Sequence, residues 1–559
     1  MRALPLAVMA CCLAANSAAA QQASPVPIPG GVEPGRQANP NLLFSRPPSA
    51  PEAELNFSFP IQRRSEQGRL SDLLAVDLKK VVVEGATVVP PSFWEPLVAP
   101  LLTRPATLPE VVAVADAIQA RYVALGYTLT RAFVPPQELI DGVLTIRVVE
   151  GYIDKLRVEG ASPGTTRRLE RLGETARAGR PAQQEEIERF LLLANELPGV
   201  SVAGNLRPGE APGAADVTLA TTEKSWALAV GASNRATRYT GPWTAFVDGA
   251  VNDLLGWGEQ LGAGLSGAPK GLEQWSANGR WLQPLGHGLT LTSTIDYGRG
   301  KPGAGLQEFA LNTGSLAVGQ RLAYPVIRSR RQNLAIEAGW TIQRSRINLL
   351  GSRFSTDRWR TIDLGLSATE AGFAGGGTVA SVRVIRGVDI LGATDRTSQQ
   401  ASRLGADPTF TKYAAELQRL QPLPGGLLLT LRAAGQITRD TLFAGEEFSL
   451  GGGRFGRGYN PSDLSGATGF GTTAELQGTW QVRLTYLEAV TPYAFFDWGR
   501  VWKSATANTF LRSAGGGLRL NLGGGRNLSL EAAQALRDLP VLGAEQPGTR
   551  FFVDLAIAF

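Results

Sequence analysis

Near the C-terminus, Phe551, Val553, Leu555, Ile557 and Phe559 alternate with Phe552, Asp554, Ala556 and Ala558. An extended chain sends successive side chains to opposite faces, so one row here is large and apolar and the other mostly small or polar. The same texture recurs from about Lys224 onward, in segments of roughly ten residues separated by Gly, Asn, Asp and Pro. Leu518, Leu520 and Leu522 form such a row, as do Leu528 and Leu530. This pattern suits strands with lipid on one side and a wet lumen on the other. A soluble β-sandwich would share the alternation, but would not need a secretory N-terminus, this length and an aromatic C-terminus together. Ten of the eleven Trp lie after residue 222, where aromatics at strand ends would form interfacial girdles. At roughly 20 residues per strand and loop, residues 223–559 hold about 16 antiparallel strands, an even number as bacterial barrels require.

The N-terminus reads as a signal peptide over residues 1–20. Arg2 supplies the positive end, Leu4 to Ala15 the apolar stretch, and Ala18-Ala19-Ala20 the small-residue cleavage site. Both cysteines, Cys11 and Cys12, fall inside it, so a processed chain would have neither disulfide nor thiol chemistry. Lipoprotein processing at Cys11, after Val8-Met9-Ala10, stays open as an alternative. Beyond the signal no run of 18 apolar residues occurs, which argues against helical membrane spans. Residues 21–75 are Pro-rich and read as a linker, with a short helix near Gln37 to Phe44 only weakly signalled.

Two repeats follow, at 76–152 and 153–222. Leu78-Lys79-Lys80-Val81-Val82-Val83-Glu84-Gly85 is echoed by Asp154-Lys155-Leu156-Arg157-Val158-Glu159-Gly160. Each copy runs strand, helix, helix, strand, strand. Thr107-Leu108-Pro109-Glu110 is a capping box opening a helix with Pro in its first turn. Val111, Val114, Ile118, Tyr122 and Leu125 form its apolar stripe, and Gly126 stops it. In the second copy Ile187, Phe190, Leu191 and Ala194 form the stripe, and Pro198-Gly199 ends it.

Enzymatic chemistry finds little support. With a single His, His287, and no Cys outside residues 11 and 12, the usual zinc sites are excluded. No phosphate-binding G-x-x-x-x-G-K-[ST] loop occurs. The net charge of +6 over 559 residues is modest and does not point to nucleic acid. Gly160-Ala161-Ser162-Pro163-Gly164 fits the G-x-S-x-G hydrolase pattern, but Pro163 lacks the N–H that would help build an oxyanion hole. It reads as a turn between strand and helix. Glu446-Glu447 reads as solvated loop charge rather than an acid/base couple. No catalytic residue, metal site or cofactor is expected.

Two stretches of the strand-rich region carry a functional claim. Phe448 to Pro461 is dense in glycine yet holds Arg457 and Tyr459, which suits a folded-back loop rather than a flexible linker. In Pro492-Tyr493-Ala494-Phe495-Phe496-Asp497-Trp498-Gly499, period 2 puts Tyr493, Phe495, Asp497 and Gly499 on one face. A carboxylate facing lipid is costly, so Asp497 should face the lumen. Either Arg457 folds in to meet it, or Asp497 lines a wet pore and Arg457 sits in an outer loop.

Taken together, these features resemble a two-partner secretion transporter of the hemolysin secretion/activation type, within the BamA-like superfamily. The resemblance rests on the signal peptide, Val32-Glu33-Pro34-Gly35-Arg36, two POTRA-like repeats, the Arg457-Gly458-Tyr459 loop followed by Gly469 and Glu475, Phe495-Phe496-Asp497-Trp498-Gly499, and the terminal Phe559. It implies a bacterial outer-membrane barrel of 16 strands preceded by two periplasmic α+β POTRA-like domains. It also implies a sixth extracellular loop, between strands 11 and 12, folded into the lumen with Arg457 at its tip. Asp497, with Phe495 and Gly499, would be the barrel-wall partner, and Phe559 an assembly signal read by the barrel assembly machinery. The N-terminal segment can form a pore plug in this family. The expected partner is a secreted exoprotein, adhesin- or hemolysin-like, carrying a secretion domain; outer-membrane lipids surround the barrel. A BamA-like insertase is the alternative, and a passive porin a third reading. Two departures stand out: Gly456 replaces a branched aliphatic, and Ala467-Thr468 precedes Gly469 where an acidic residue is usual.

Overall fold

The structure, a computed structural model, describes residues 32, 55–57, 75–268, 273–304, 306–502, 508–540 and 548–559. The expected signal peptide and the helix near 37–44 lie outside the described residues.

The first repeat packs strands Lys80–Glu84, Arg131–Phe133 and Val143–Val149 against helix Leu108–Ala124. Val143–Val149 is central, parallel to Lys80–Glu84 and antiparallel to Arg131–Phe133. The helix starts where the capping box predicts: the Thr107 N–H donates to Glu110 Oε2 at 2.8 Å. Val111, Ile118 and Tyr122 of the apolar stripe are buried against Ile146, whereas Leu125, at the helix's C-terminal end, is 53% exposed. The expected first helix of this repeat is broken into short turns at Pro91–Phe93, Glu95–Val98 and Ala99–Leu102. Pro91, Pro96 and Pro100 each remove a backbone donor and stop a longer helix from propagating.

The second repeat keeps both helices, Pro163–Ala178 and Gln184–Asn195, beside strands Tyr152–Glu159, Val200–Pro208 and Ala214–Glu223. Ile187, Phe190, Leu191 and Ala194 enter its core. Ser162 of the hydrolase-like pattern is a helix cap, its Oγ accepting from Thr165 N at 3.3 Å. An additional short strand, Leu55–Phe57, lies parallel along the outer edge of Val200–Pro208.

From Trp226 to Ala558 the chain forms a closed antiparallel barrel. Thr468–Gly478 and Trp480–Leu484 both pair with Leu487–Trp502, so they are one strand interrupted at Thr479, and the barrel has 16 strands. Closure pairs the first strand, Trp226–Ser233, with the last, Thr549–Ala558, from Ala229↔Ala558 to Ser233↔Asp554. The faces fall as the alternation predicts: Phe551 is 71% exposed on the outside, while Phe552 and Asp554 are buried inside. Phe559, also exposed, donates its N–H to Leu228 O at 2.8 Å and caps the closing seam. Trp226, Trp257, Trp480 and Trp502 lie exposed at strand ends or turns, whereas Trp359 departs from the girdle and points into the lumen, 2% exposed.

Turns at one end of the barrel receive the second repeat. The Arg168 guanidinium pairs with Asp253 at 2.6 Å and donates to Gly256 O at 3.0 Å. Arg189 donates to Pro325 O at 2.8 Å, and Arg328 pairs with Glu196. At the opposite end, Val32 is fully buried among Tyr239, Leu311 and Ile347.

Candidate functional site

The loop joining the eleventh strand, Leu427–Thr438, to the twelfth folds back into the lumen. Gly451 and Gly456 adopt φ of 101° and 99°, a backbone region L side chains rarely reach. These turns reverse the chain, and Gly451 N–H donates to Phe455 O at 2.7 Å. Leu450 and Phe455 anchor the fold on the barrel wall. A Cβ at Gly499 would meet Leu450 at 2.6 Å, and one at Gly471 would meet Phe455 at 2.7 Å. Gly499 is thus a seat for the loop's apolar side chains rather than a contact of Arg457.

Arg457 is brought against the wall at the loop tip, 6% exposed. Its backbone N–H donates to Asp497 Oδ2 at 2.9 Å, and its Nη2 donates to Oδ1 at 3.2 Å. Phe495, two residues before Asp497 on the same face, lies beneath the guanidinium, with Cζ 3.4 Å from the ring centroid. Asp497 is fully buried and also accepts from Thr473 Oγ1 at 2.9 Å and Ser513 Oγ at 3.0 Å. Gly458 lets the tip lie flat on the wall, since a Cβ there would sit 2.5 Å from Ala535 N. The Tyr459 hydroxyl lies 2.7 Å from Arg537 O and 3.0 Å from Arg512 O.

Two further carboxylates share Arg457. Nη1 donates to Glu475 Oε2 at 2.8 Å and to Glu531 Oε2 at 3.3 Å. Glu475 also pairs with Arg519, and Glu531 with Arg235, which continues to Asp554. Tyr493 OH donates to Glu531 at 2.8 Å. Such charge-assisted bonds make a buried cluster specific in geometry. Sequence alone suggests the pairing of Arg457 with Asp497 but gives Glu475 no role and does not point to Glu531, Arg235 or Arg519. The one signal for Glu531 is its place in an alternating row, on the face opposite Leu528 and Leu530.

Glu446 and Glu447 are not solvated loop charges. Glu446 is 8% exposed; its carboxylate is 2.6 Å from Lys412 Nζ and accepts from Trp359 Nε1 at 2.7 Å. Glu447 pairs with Arg403 at 2.9 Å. Inward-pointing Lys412 and Trp359 supply partners that a linear reading of the loop could not supply, so the loop is held at its root as well as its tip. Both departures from the family pattern pack locally. A Cβ at Gly456 would meet Leu511 at 2.7 Å, leaving no room for a branched aliphatic, and Ala467 is buried in the cluster of Trp359 and Phe443.

Residues 213–522 match the family described as haemolysin secretion/activation protein ShlB/FhaC/HecB, and residues 76–151 match the POTRA domain, ShlB-type. The chain is 27% identical to the outer membrane transporter CdiB of Escherichia coli, over 76% of this chain and 72% of that protein. It is 25% identical to the hemolysin transporter protein HpmB of Proteus mirabilis, over 84% and 82%. The solved structure of CdiB from Escherichia coli aligns with a TM-score of 0.73 at 22% identity, covering 89% of this chain and 93% of that one, a likeness of fold.

Proposed function

The chain belongs to the haemolysin secretion/activation family of outer-membrane transporters, and we propose that it exports one secreted, β-rich protein partner through its barrel. Its barrel lies in the outer membrane and its N-terminal repeats in the periplasm. The domain boundaries in this reading are 76–152 and 153–222 for the repeats and 223–559 for the barrel, with a signal peptide over 1–20.

The unfolded partner, an adhesin or hemolysin-like exoprotein with a secretion domain, first meets the two repeats. Extended segments add to sheet edges through backbone hydrogen bonds, with side-chain pockets giving choice. That the edge of Val200–Pro208 accepts Leu55–Phe57 of this same chain supports such binding. The partner then passes the lumen and folds outside, which opposes its return without nucleotide hydrolysis. No catalytic step is assigned to the protein. Arg457, Gly458 and Tyr459 hold the loop in its working position against Asp497 and Phe495, and Phe559 serves as the assembly signal for the barrel assembly machinery. The observation that carries this reading is Arg457 buried on Asp497 inside a barrel on which the second of two repeats is docked.

Depleting the protein from its host tests the role. The secreted-protein profile should lose one exoprotein while the other outer-membrane proteins keep their levels. Broad loss of outer-membrane proteins would instead identify an insertase.

A further inference from the structure

The barrel carries an arginine cluster on its outer wall, away from the lumen network. The seventh strand, Gln332–Leu349, and the eighth, Ser352–Ala371, have 18 and 20 residues. About 9–11 residues suffice to cross a membrane, so both project beyond it. Gln343 and Trp359 reach the loop carboxylate of Glu446, and Ile347 packs on Val32, which fixes their face as the lumen side. Period 2 then turns Arg344, Arg346, Arg358 and Arg360 outward. On that same outer face, Ile336, Trp340, Ile362 and Leu364 are 38–60% exposed and form the apolar belt. The arginines begin where the belt ends, on the end opposite the docked repeats.

Arg344 stands directly opposite Arg358, and Arg353 follows at the hairpin. Like charges directly opposite destabilise a sheet. The charged groups acting on Arg344 are Arg346, Arg353 and Arg358, without a carboxylate, and Arg360 has Arg358 alone. The Nε atoms of Arg344, Arg346 and Arg360 are buried without a hydrogen-bond partner. Arg360 uses its other nitrogens on Trp359 O and Leu391 O, which fixes its place beneath the neighbouring loop. Asp389 and Asp395 of that loop make no ion pair with the five arginines among the described residues.

We propose that this cluster binds the phosphate groups of a phosphorylated glycolipid in the outer leaflet. Guanidinium forks match phosphate oxygens in paired geometry, and an anion between Arg344 and Arg358 offsets their repulsion. The lipid's acyl chains lie against Trp340 and Ile362 directly below. This position favours a membrane glycolipid over free phosphate, which would gain nothing from the belt.

The test titrates the full-length protein in detergent with diphosphoryl lipid A, dephosphorylated lipid A, phosphatidylglycerol and inorganic phosphate. A variant carrying Arg344→Gln, Arg346→Gln and Arg358→Gln is run beside it, its barrel checked by heat-modifiable gel mobility. Diphosphoryl lipid A should bind the unaltered protein at least about tenfold more tightly than it binds the variant. It should also bind the unaltered protein at least about tenfold more tightly than the dephosphorylated form does, a comparison that needs no variant to fold. Equal binding in either comparison overturns the proposal. So does phosphatidylglycerol or inorganic phosphate binding as tightly as diphosphoryl lipid A, since the site would then be a general anionic-lipid or anion surface.

Discussion

A guanidinium shared among Asp497, Glu475 and Glu531 cannot leave without exposing three buried carboxylates to one another. The same logic holds at the loop root, where Lys412 and Trp359 both depend on Glu446. Glu446→Ala leaves the buried Lys412 ammonium without its carboxylate, held only by Gln436 Oε1 and the Glu446 carbonyl, at a cost of up to about 3–5 kcal/mol for a buried pair broken on one side. The root should then loosen while the tip stays on Asp497. Cys11 and Cys12 aside, the chain has no cysteine, so Ser449→Cys can report this through thiol labelling in the folded barrel. Labelling should rise in the Glu446→Ala background; an unchanged rate would mean that the root needs no such anchor. What sequence revealed at this scale followed from local rules. Asp497 faces the lumen because of period 2 and the cost of a charge in lipid. Glu531 is illegible as a partner because it lies 74 residues from Arg457, and only strand pairing and the folding of the loop into the lumen bring them together. Glu446 was misread because its partners come from strands far away in the chain.

Elements were more legible where one signal sufficed. The helix Leu108–Ala124 begins at its capping box and ends before Gly126, whose φ is 90°. Its neighbour in the same repeat was less so, because clustered prolines broke a helix into three short turns. The capping box also makes a pH prediction. A hydrogen bond from Arg104, joined by those from Thr107, lowers the Glu110 pKa from 4.5 to about 2. A carboxylate depressed on folding contributes stability that is present above pH 4.5 and is lost as pH falls toward 2. Each repeat closes its own core, so residues 76–222 can be melted as a fragment. Glu110→Gln retains a capping-box residue but should flatten the fall in melting temperature of the first repeat between pH 4.5 and 2. An identical pH slope would remove Glu110 from the account. The barrel strands gave their number through spacing alone, yet the long projections of the seventh and eighth strands had no such signal.

At the scale of the whole molecule, a repeat, a loop and the N-terminal segment all meet the barrel. The second repeat docks on the periplasmic turns through Arg168 and Asp253. The lumen holds a folded loop, and the opposite end receives Val32 from the N-terminal segment. A passive pore would need neither the docked repeats nor a loop fixed inside it by ion pairs. We propose that export through this lumen requires the loop to be held where the network places it. Arg457→Ala, assayed in cells that produce the exoprotein identified by depletion, tests that requirement most directly. With barrel insertion unchanged by heat-modifiable mobility, the account predicts that the exoprotein stays in the periplasm and its surface level falls by about tenfold or more, as loss of a buried charge-assisted contact implies. Surface exoprotein at the unaltered level, with the variant barrel present, would contradict it.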